Sequence, residues 1–256
     1  MKNMKNNMLT KVKNGECSLG VFLGETDITV AEIAALAGFD YMRLDSEHAL
    51  VDPSKLAATI RIANAYDIPT LVRVSCFEEM TKLLDYGATG FLVPDVDSKE
   101  AAQAAVNCCK YAPVGMRGLS RSNRCCQYGN IPTNDYLEFA RDNITLAVQI
   151  ESKEAVERLD EILSVEGVDI VAVGRLDLSQ SYGVIGQSNH PDVVAAENLV
   201  IQKALEYGKY PLITASSPKQ FEELREKGVK LMTIAFDTQF ILKAFKDHIQ
   251  KFKELM

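Results

Sequence analysis

One pattern recurs along this chain: an amphipathic stretch, a glycine, then a short apolar run that ends in polar residues. It reads AGFDYMRLD over 37–45, YGATGFLVPD over 86–95, EGVDIVAVGRLD over 166–177 and KGVKLMTIAFD over 227–237. The glycine supplies the left-handed position at which a helix closes. The apolar run after it suits a strand buried on both faces of a parallel sheet. Such runs predict eight strands, near 19–23, 40–44, 70–74, 90–94, 145–150, 169–173, 211–215 and 231–235. Helices fit the intervals. Asp52-Pro53 and Ser217-Pro218 each set a capping oxygen before a proline at the first helical position. Residues 192–207 and 238–254 read as longer helices, with His190 a cap before Pro191 and His248 solvated in the last helix.

Strands alternating with helices in this number and length predict an α/β fold, a single (β/α)8 TIM barrel over 1–256. A doubly wound open sheet would carry a Gly-rich phosphate turn after its first strand. The turn here is GETD, 24–27. Residues 1–14 read as a weakly ordered lead-in, and segments 111–143 and 178–190 exceed ordinary loop lengths, which marks function or an interface.

Composition narrows the function. Hydrophobic residues make up 47% and charged residues 25% of the chain, and no apolar run suits a membrane span. A net charge of −7 with scattered Lys and Arg argues against nucleic acid. Six cysteines include the vicinal pairs Cys108-Cys109 and Cys125-Cys126 but no C-x-x-C, so they read as free thiols of a cytoplasmic protein. Met1–Asn14 lacks the apolar core of a secretion signal.

The strand C-termini of such a barrel carry its chemistry. The second strand ends in Asp45-Ser46-Glu47-His48, the third delivers Arg73, the fifth Gln149 and Glu151, the sixth Gly174-Arg175-Leu176-Asp177, and the eighth Asp237. Glu151 and Asp177 follow adjacent strands. They either share a hard divalent cation or cap the helices that follow. His48, three residues after Asp45, is either a general base whose tautomer Asp45 fixes or a surface histidine. Arg73 calls for an anion, from the protein or from a substrate. No lysine falls at a strand C-terminus, which disfavours Schiff-base chemistry.

Together AGFDYMRLDSEHA (37–49), PTLVRV (69–74), LLDYGATGFLVPDV (83–96), YAPVGMRGLSRSNR (111–124), VQIES (148–152), VEGVDIVAVGRLDLS (165–179) and NHPDV (189–193) resemble the metal-dependent pyruvate aldolases of the HpcH/HpaI aldolase/citrate lyase family. The resemblance runs from about Gly20 to Leu255. It implies a barrel of the phosphoenolpyruvate/pyruvate-domain type and reversible cleavage of a 4-hydroxy-2-oxo acid to pyruvate and an aldehyde through a metal-bound enolate. By resemblance His48 with Asp45 is the base, Glu151 and Asp177 hold Mg²⁺, Mn²⁺ or Co²⁺, and Arg73 stabilises the enolate oxygen. Gln149, Gly174, Leu176 and Asp177 would contact the substrate. A homo-oligomer is implied, a hexamer that exchanges the helix at 238–256. The alternatives are a malyl- or citramalyl-thioester lyase and a degenerate barrel that binds a 2-oxo acid. Three departures stand out. Arg175 replaces a usual proline and could supply a new anion contact, Leu212 and Ala235 replace frequent glycines and would narrow the mouth, and Phe22 replaces a common tryptophan.

Overall fold

In the computed structural model, which describes residues 8–25 and 27–256, the parallel strands follow one another around a closed barrel in chain order. They are β1 (Ser18–Leu23), β2 (Tyr41–Asp45), β3 (Thr70–Arg73), β4 (Gly90–Val93), β5 (Thr145–Ile150), β6 (Ile170–Val173), β7 (Tyr210–Thr214) and β8 (Leu231–Phe236). Every boundary lies within one residue of the sequence expectation. The helices are α1 (Leu9–Lys13), α2 (Ile28–Ala37), α3 (Pro53–Ala65), α4 (Phe77–Tyr86), α5 (Lys99–Cys109), α6 (Thr133–Asn143), α7 (Lys153–Glu157), α8 (Leu159–Leu163), α9 (Arg175–Ser181), α10 (Pro191–Glu206), α11 (Pro218–Glu226) and α12 (Asp237–Lys253).

Local chemistry sets these ends. Asp52 accepts a hydrogen bond from the Ser54 amide at 2.7 Å and so opens α3; Ser217 accepts one from Gln220 and opens α11. Gly38, at φ 89°, closes α2 in the left-handed region that a side chain would resist. His190 caps α10 through Nδ1, as expected.

Alternate strand residues point inward. One tier of the interior joins Tyr41, Leu71, Leu92, Ala147, Ile170, Ala172, Leu212 and Leu231. Tyr41 is fully buried and its hydroxyl shares a hydrogen bond with Thr233 Oγ1 at 3.1 Å. It fits because Gly20 faces it: a Cβ there would lie 2.1 Å from the ring. Met8, Leu9 and Val12 join the same cluster and plug the barrel where the strands begin. Residues 8–14 are therefore not a weakly ordered lead-in. A helix this short has little stability alone, and burial of these three side chains holds it. Residues 1–7 lie outside the described residues.

The segment 111–132 is irregular, and its start packs on the strand-start side of the barrel. There the Arg117 guanidinium bonds Asp85 and the Tyr136 hydroxyl and lies over Tyr111. At the other end of the chain, α12 buries only Asp237 and leaves Phe240, Phe245, Ile249 and Phe252 more than half exposed. No helix among the described residues is long and apolar enough to cross a membrane. All six cysteines are free.

Gly20→Ala should destabilise the fold by about 2 kcal/mol, because the Tyr41 ring has no room to yield inside the closed barrel. A urea titration with an unchanged midpoint would show that the two residues do not compete for space.

Candidate active site

Above the apolar tier the same alternation brings polar side chains inward. On β2 the sequence Tyr41, Arg43, Asp45 climbs one inward face, and on β3 Arg73 stands in register with Asp45. The two form a fork: Arg73 Nε and Nη2 each donate to an Asp45 carboxylate oxygen at 2.8 Å. Asp45 is 3% exposed and Arg73 8%. Glu47 meets the remaining edge of the guanidinium, 3.1 Å from Nη1. Burial by itself would push the Asp45 carboxyl up, but the Arg73 hydrogen bonds and charge outweigh it and hold it below its ordinary value.

This arrangement corrects the expected pairing of Asp45 with His48. Asp45 is the last residue of β2 and points into the barrel, where Arg73 takes both of its oxygens. His48 belongs to the loop that follows; its side chain is 65% exposed, with Nε2 3.7 Å from Glu47.

Glu151, just past β5, is buried and held on both oxygens. Oε1 accepts the Asp95 amide at 2.8 Å, and Oε2 accepts the Gln149 side-chain amide. Asp95 presents that amide from a left-handed backbone, φ 52°, which aspartate tolerates better than most residues. Gly174 leaves the space that Glu151 occupies, since a Cβ there would meet Oε2 at 2.4 Å. Burial pushes the Glu151 carboxyl up to about 7 despite its two hydrogen bonds, with the charges of Asp177 and Asp95 adding to the effect.

Asp177 lies in the first turn of α9 and is exposed to the mouth. Among the described residues no three His, Cys, Asp or Glu side chains gather as a metal cage. The Glu151–Asp177 pair nonetheless suits a hard cation such as Mg²⁺, which takes one or two carboxylates and leaves its other positions to water and substrate. A carboxyl this reluctant to ionise beside a second acid is what a bound cation would relieve.

A cavity of about 720 Å³ opens beside the pair, lined among others by Arg43, Arg73, Gln149, Gly174, Leu176 and Asp177. Arg43 and Asp95 escaped the sequence reading. The signal for Arg43 was present, a lone charge inside the apolar run YMRLD. Phe22 packs behind that wall on Phe236, which lines the cavity, with ring centroids 5.2 Å apart.

Other expectations change. Arg175 does not stand free for an anion: Nε and Nη2 fork onto the buried Glu197 carboxylate of α10, and Nη1 donates to Asn189. Leu212 packs in the barrel interior and Ala235 in the layer between barrel and helices, so neither narrows the mouth. Asp237 accepts the amides of Gly24 and Glu25 and clamps the turn after β1.

Known proteins match this chain over nearly its whole length. The model of the HpcH/HpaI aldolase/citrate lyase family matches residues 18–244. A 4-hydroxy-2-oxo-heptane-1,7-dioate aldolase of Escherichia coli is 34% identical over 244 residues, 94% of this chain and 92% of that enzyme. An HpcH/HpaI aldolase from Desulfitobacterium hafniense superposes with a TM-score of 0.90 at 29% identity, covering 98% of both chains. The citrate synthase SbnG superposes with a TM-score of 0.89 at 28% identity, over 97% of this chain and 98% of its own. The closed barrel and the end-to-end match point one way: this chain belongs to the HpcH/HpaI aldolase/citrate lyase family and is a carbon–carbon lyase.

Proposed function

We propose that the enzyme is a metal-dependent aldolase that reversibly cleaves a 4-hydroxy-2-oxo acid to pyruvate and an aldehyde. The observation that carries this reading is the buried Glu151, fixed on both oxygens and within the electrostatic reach of Asp177, which lines the cavity together with Arg73. Glu151 and Asp177 would hold Mg²⁺ or Mn²⁺. When bound, the ion is a Lewis acid that steadies negative charge on the oxygens of a 2-oxo acid.

The chain's own residues do the rest. Asp45 and Glu47 hold the Arg73 guanidinium rigid, so its positive field faces the charge that grows on the 2-oxo oxygen as the C3–C4 bond breaks. Backbone amides of Leu176 and Asp177 at the start of α9 offer donors to the substrate carboxylate, whereas the Gly174 amide already donates to the Ile150 carbonyl at 3.2 Å. His48, at the rim, takes the proton of the 4-hydroxyl while the bonding pair passes to C3. It then returns a proton to C3, which becomes the pyruvate methyl. The likeness to a citrate synthase favours, as a second reading, an enolate condensation on a 2-oxo acid. The exposed apolar face of α12 supports exchange of that helix between subunits of a homo-oligomer.

Incubation with Mn²⁺ and oxaloacetate should release pyruvate in a metal-dependent way, because decarboxylation yields the same enolate. Protein that binds Mn²⁺ and releases none would overturn the aldolase reading, and citrate formed only with an added acetyl thioester would favour the second. His48→Ala should lower turnover roughly 10²- to 10⁴-fold and leave Mn²⁺ affinity unchanged; equal losses in both would make its role structural.

Glu151→Gln should abolish Mn²⁺ binding. It should also remove a pH dependence of the metal-free fold. A carboxyl raised from 4.5 to about 7 contributes stability that is complete below about pH 4.5 and lost as pH rises through about 7. The loss is on the order of 3 kcal/mol. Thermal melts of wild type and variant should therefore diverge across that window. Parallel curves would count against the buried, ionisable Glu151.

A further inference from the structure

Arg43 is a cation in the wall of this cavity that no carboxylate pairs. Among the described residues its one hydrogen bond runs from Nη2 to Gln149 Oε1 at 3.1 Å, and no carboxylate pairs with it. Its Nε is buried and has no partner. The guanidinium lies over Phe22, 4.9 Å from the ring centroid, and Arg73 stands over the same ring at 5.6 Å. Burial first, and the Arg73 charge second, push Arg43 down to about 10, so it remains charged at neutral pH.

The contrast with its neighbour is chemical. Arg73 is held by Asp45 and Glu47, and Arg175 by Glu197. A guanidinium carries five N–H donors, and Arg43 uses one of them. An under-used cation in the wall of a cavity is costly unless an anion arrives to meet it. The Gln149 bond also fixes its place. Gln149 accepts from Arg43 with its oxygen and donates to Glu151 with its nitrogen, so Arg43 stands one side chain away from the acid pair.

We propose that Arg43 is a specificity-determining residue that donates directly to an anionic oxygen of the 2-oxo acid, beside Arg73. The assignment of the anion as a 2-oxo acid rests on the aldolase reading. Recognition by Arg43 would favour substrates whose oxyanion reaches down toward Phe22, and Phe22 would hold the guanidinium plane against the wall.

The test uses the full-length protein loaded with Mn²⁺ and oxalate, a planar dianion that imitates the pyruvate enolate. Mn²⁺ affinity is measured first, then oxalate affinity by calorimetry, for wild type, Arg43→Met and Arg43→Lys. Arg43→Met should weaken oxalate roughly 10- to 100-fold while Mn²⁺ affinity stays within about threefold. Arg43→Lys, which keeps the charge but not the planar fork, should fall between. Unchanged oxalate affinity in folded Arg43→Met overturns the proposal. So does a loss of oxalate matched by an equal loss of Mn²⁺, which would make Arg43 a prop for Glu151 through Gln149. If Arg43→Met does not fold, Arg43→Lys decides on the same two affinities. Wild type that binds Mn²⁺ and oxalate yet releases no pyruvate from oxaloacetate overturns the aldolase reading alone, and the variants' oxalate affinities still judge Arg43.

Discussion

Closing eight strands into a barrel turns one face of each strand inward, and the inward positions must be filled tier by tier. Everything distinctive here follows from how that filling changes along the axis. Where the strands begin, Met8, Leu9 and Val12 seal the end with apolar surface. The next tier is apolar too, with Tyr41 admitted by the missing side chain of Gly20. One step further, β2 supplies Arg43, and at its end Asp45 meets Arg73 from β3. A two-residue period thus converts a short sequence, YMRLD, into a column that passes from filler to cation to ion pair.

The charges at the top of that column are unevenly matched. Asp45 and Glu47 hold Arg73 in place, and the Arg175–Glu197 fork ties the start of α9 to α10 without facing a ligand. Glu151 and Asp177 remain as acids without a cation, while Arg43 remains as a cation without an acid. Breaking a buried pair such as Asp45–Arg73 would cost about 3–5 kcal/mol, so these pairs act as framework. The unmatched groups are where a ligand bearing both a cation and an oxyanion would find complementary partners. Gly174, by leaving room for Glu151, and Asp95, by turning its amide inward, keep the acid fixed in the meantime.

The fold was largely legible in the sequence because its signals are local. Apolar runs of strand length, glycines at helix ends and the caps at Asp52 and Ser217 act over a few residues, and every strand falls within one residue of its expected bounds. The candidate chemistry was legible in part, since Arg73, Glu151 and Asp177 sit at strand ends where a barrel places reactive groups. Partnership was not legible. Asp45 is three residues from His48 and 28 from Arg73, yet strand register, which no short window encodes, gives it to Arg73. The same holds for Arg175, whose partner lies a helix away, and for residues 8–14, ordered by the barrel end they cover. The sequence by itself determined which strands form and, Arg43 apart, which charges reach the mouth, because backbone periodicity is a short-range property. Only the tertiary structure decided which of those charges are spent on one another and which, like Arg43, are left to meet a ligand, because that depends on closure of the barrel.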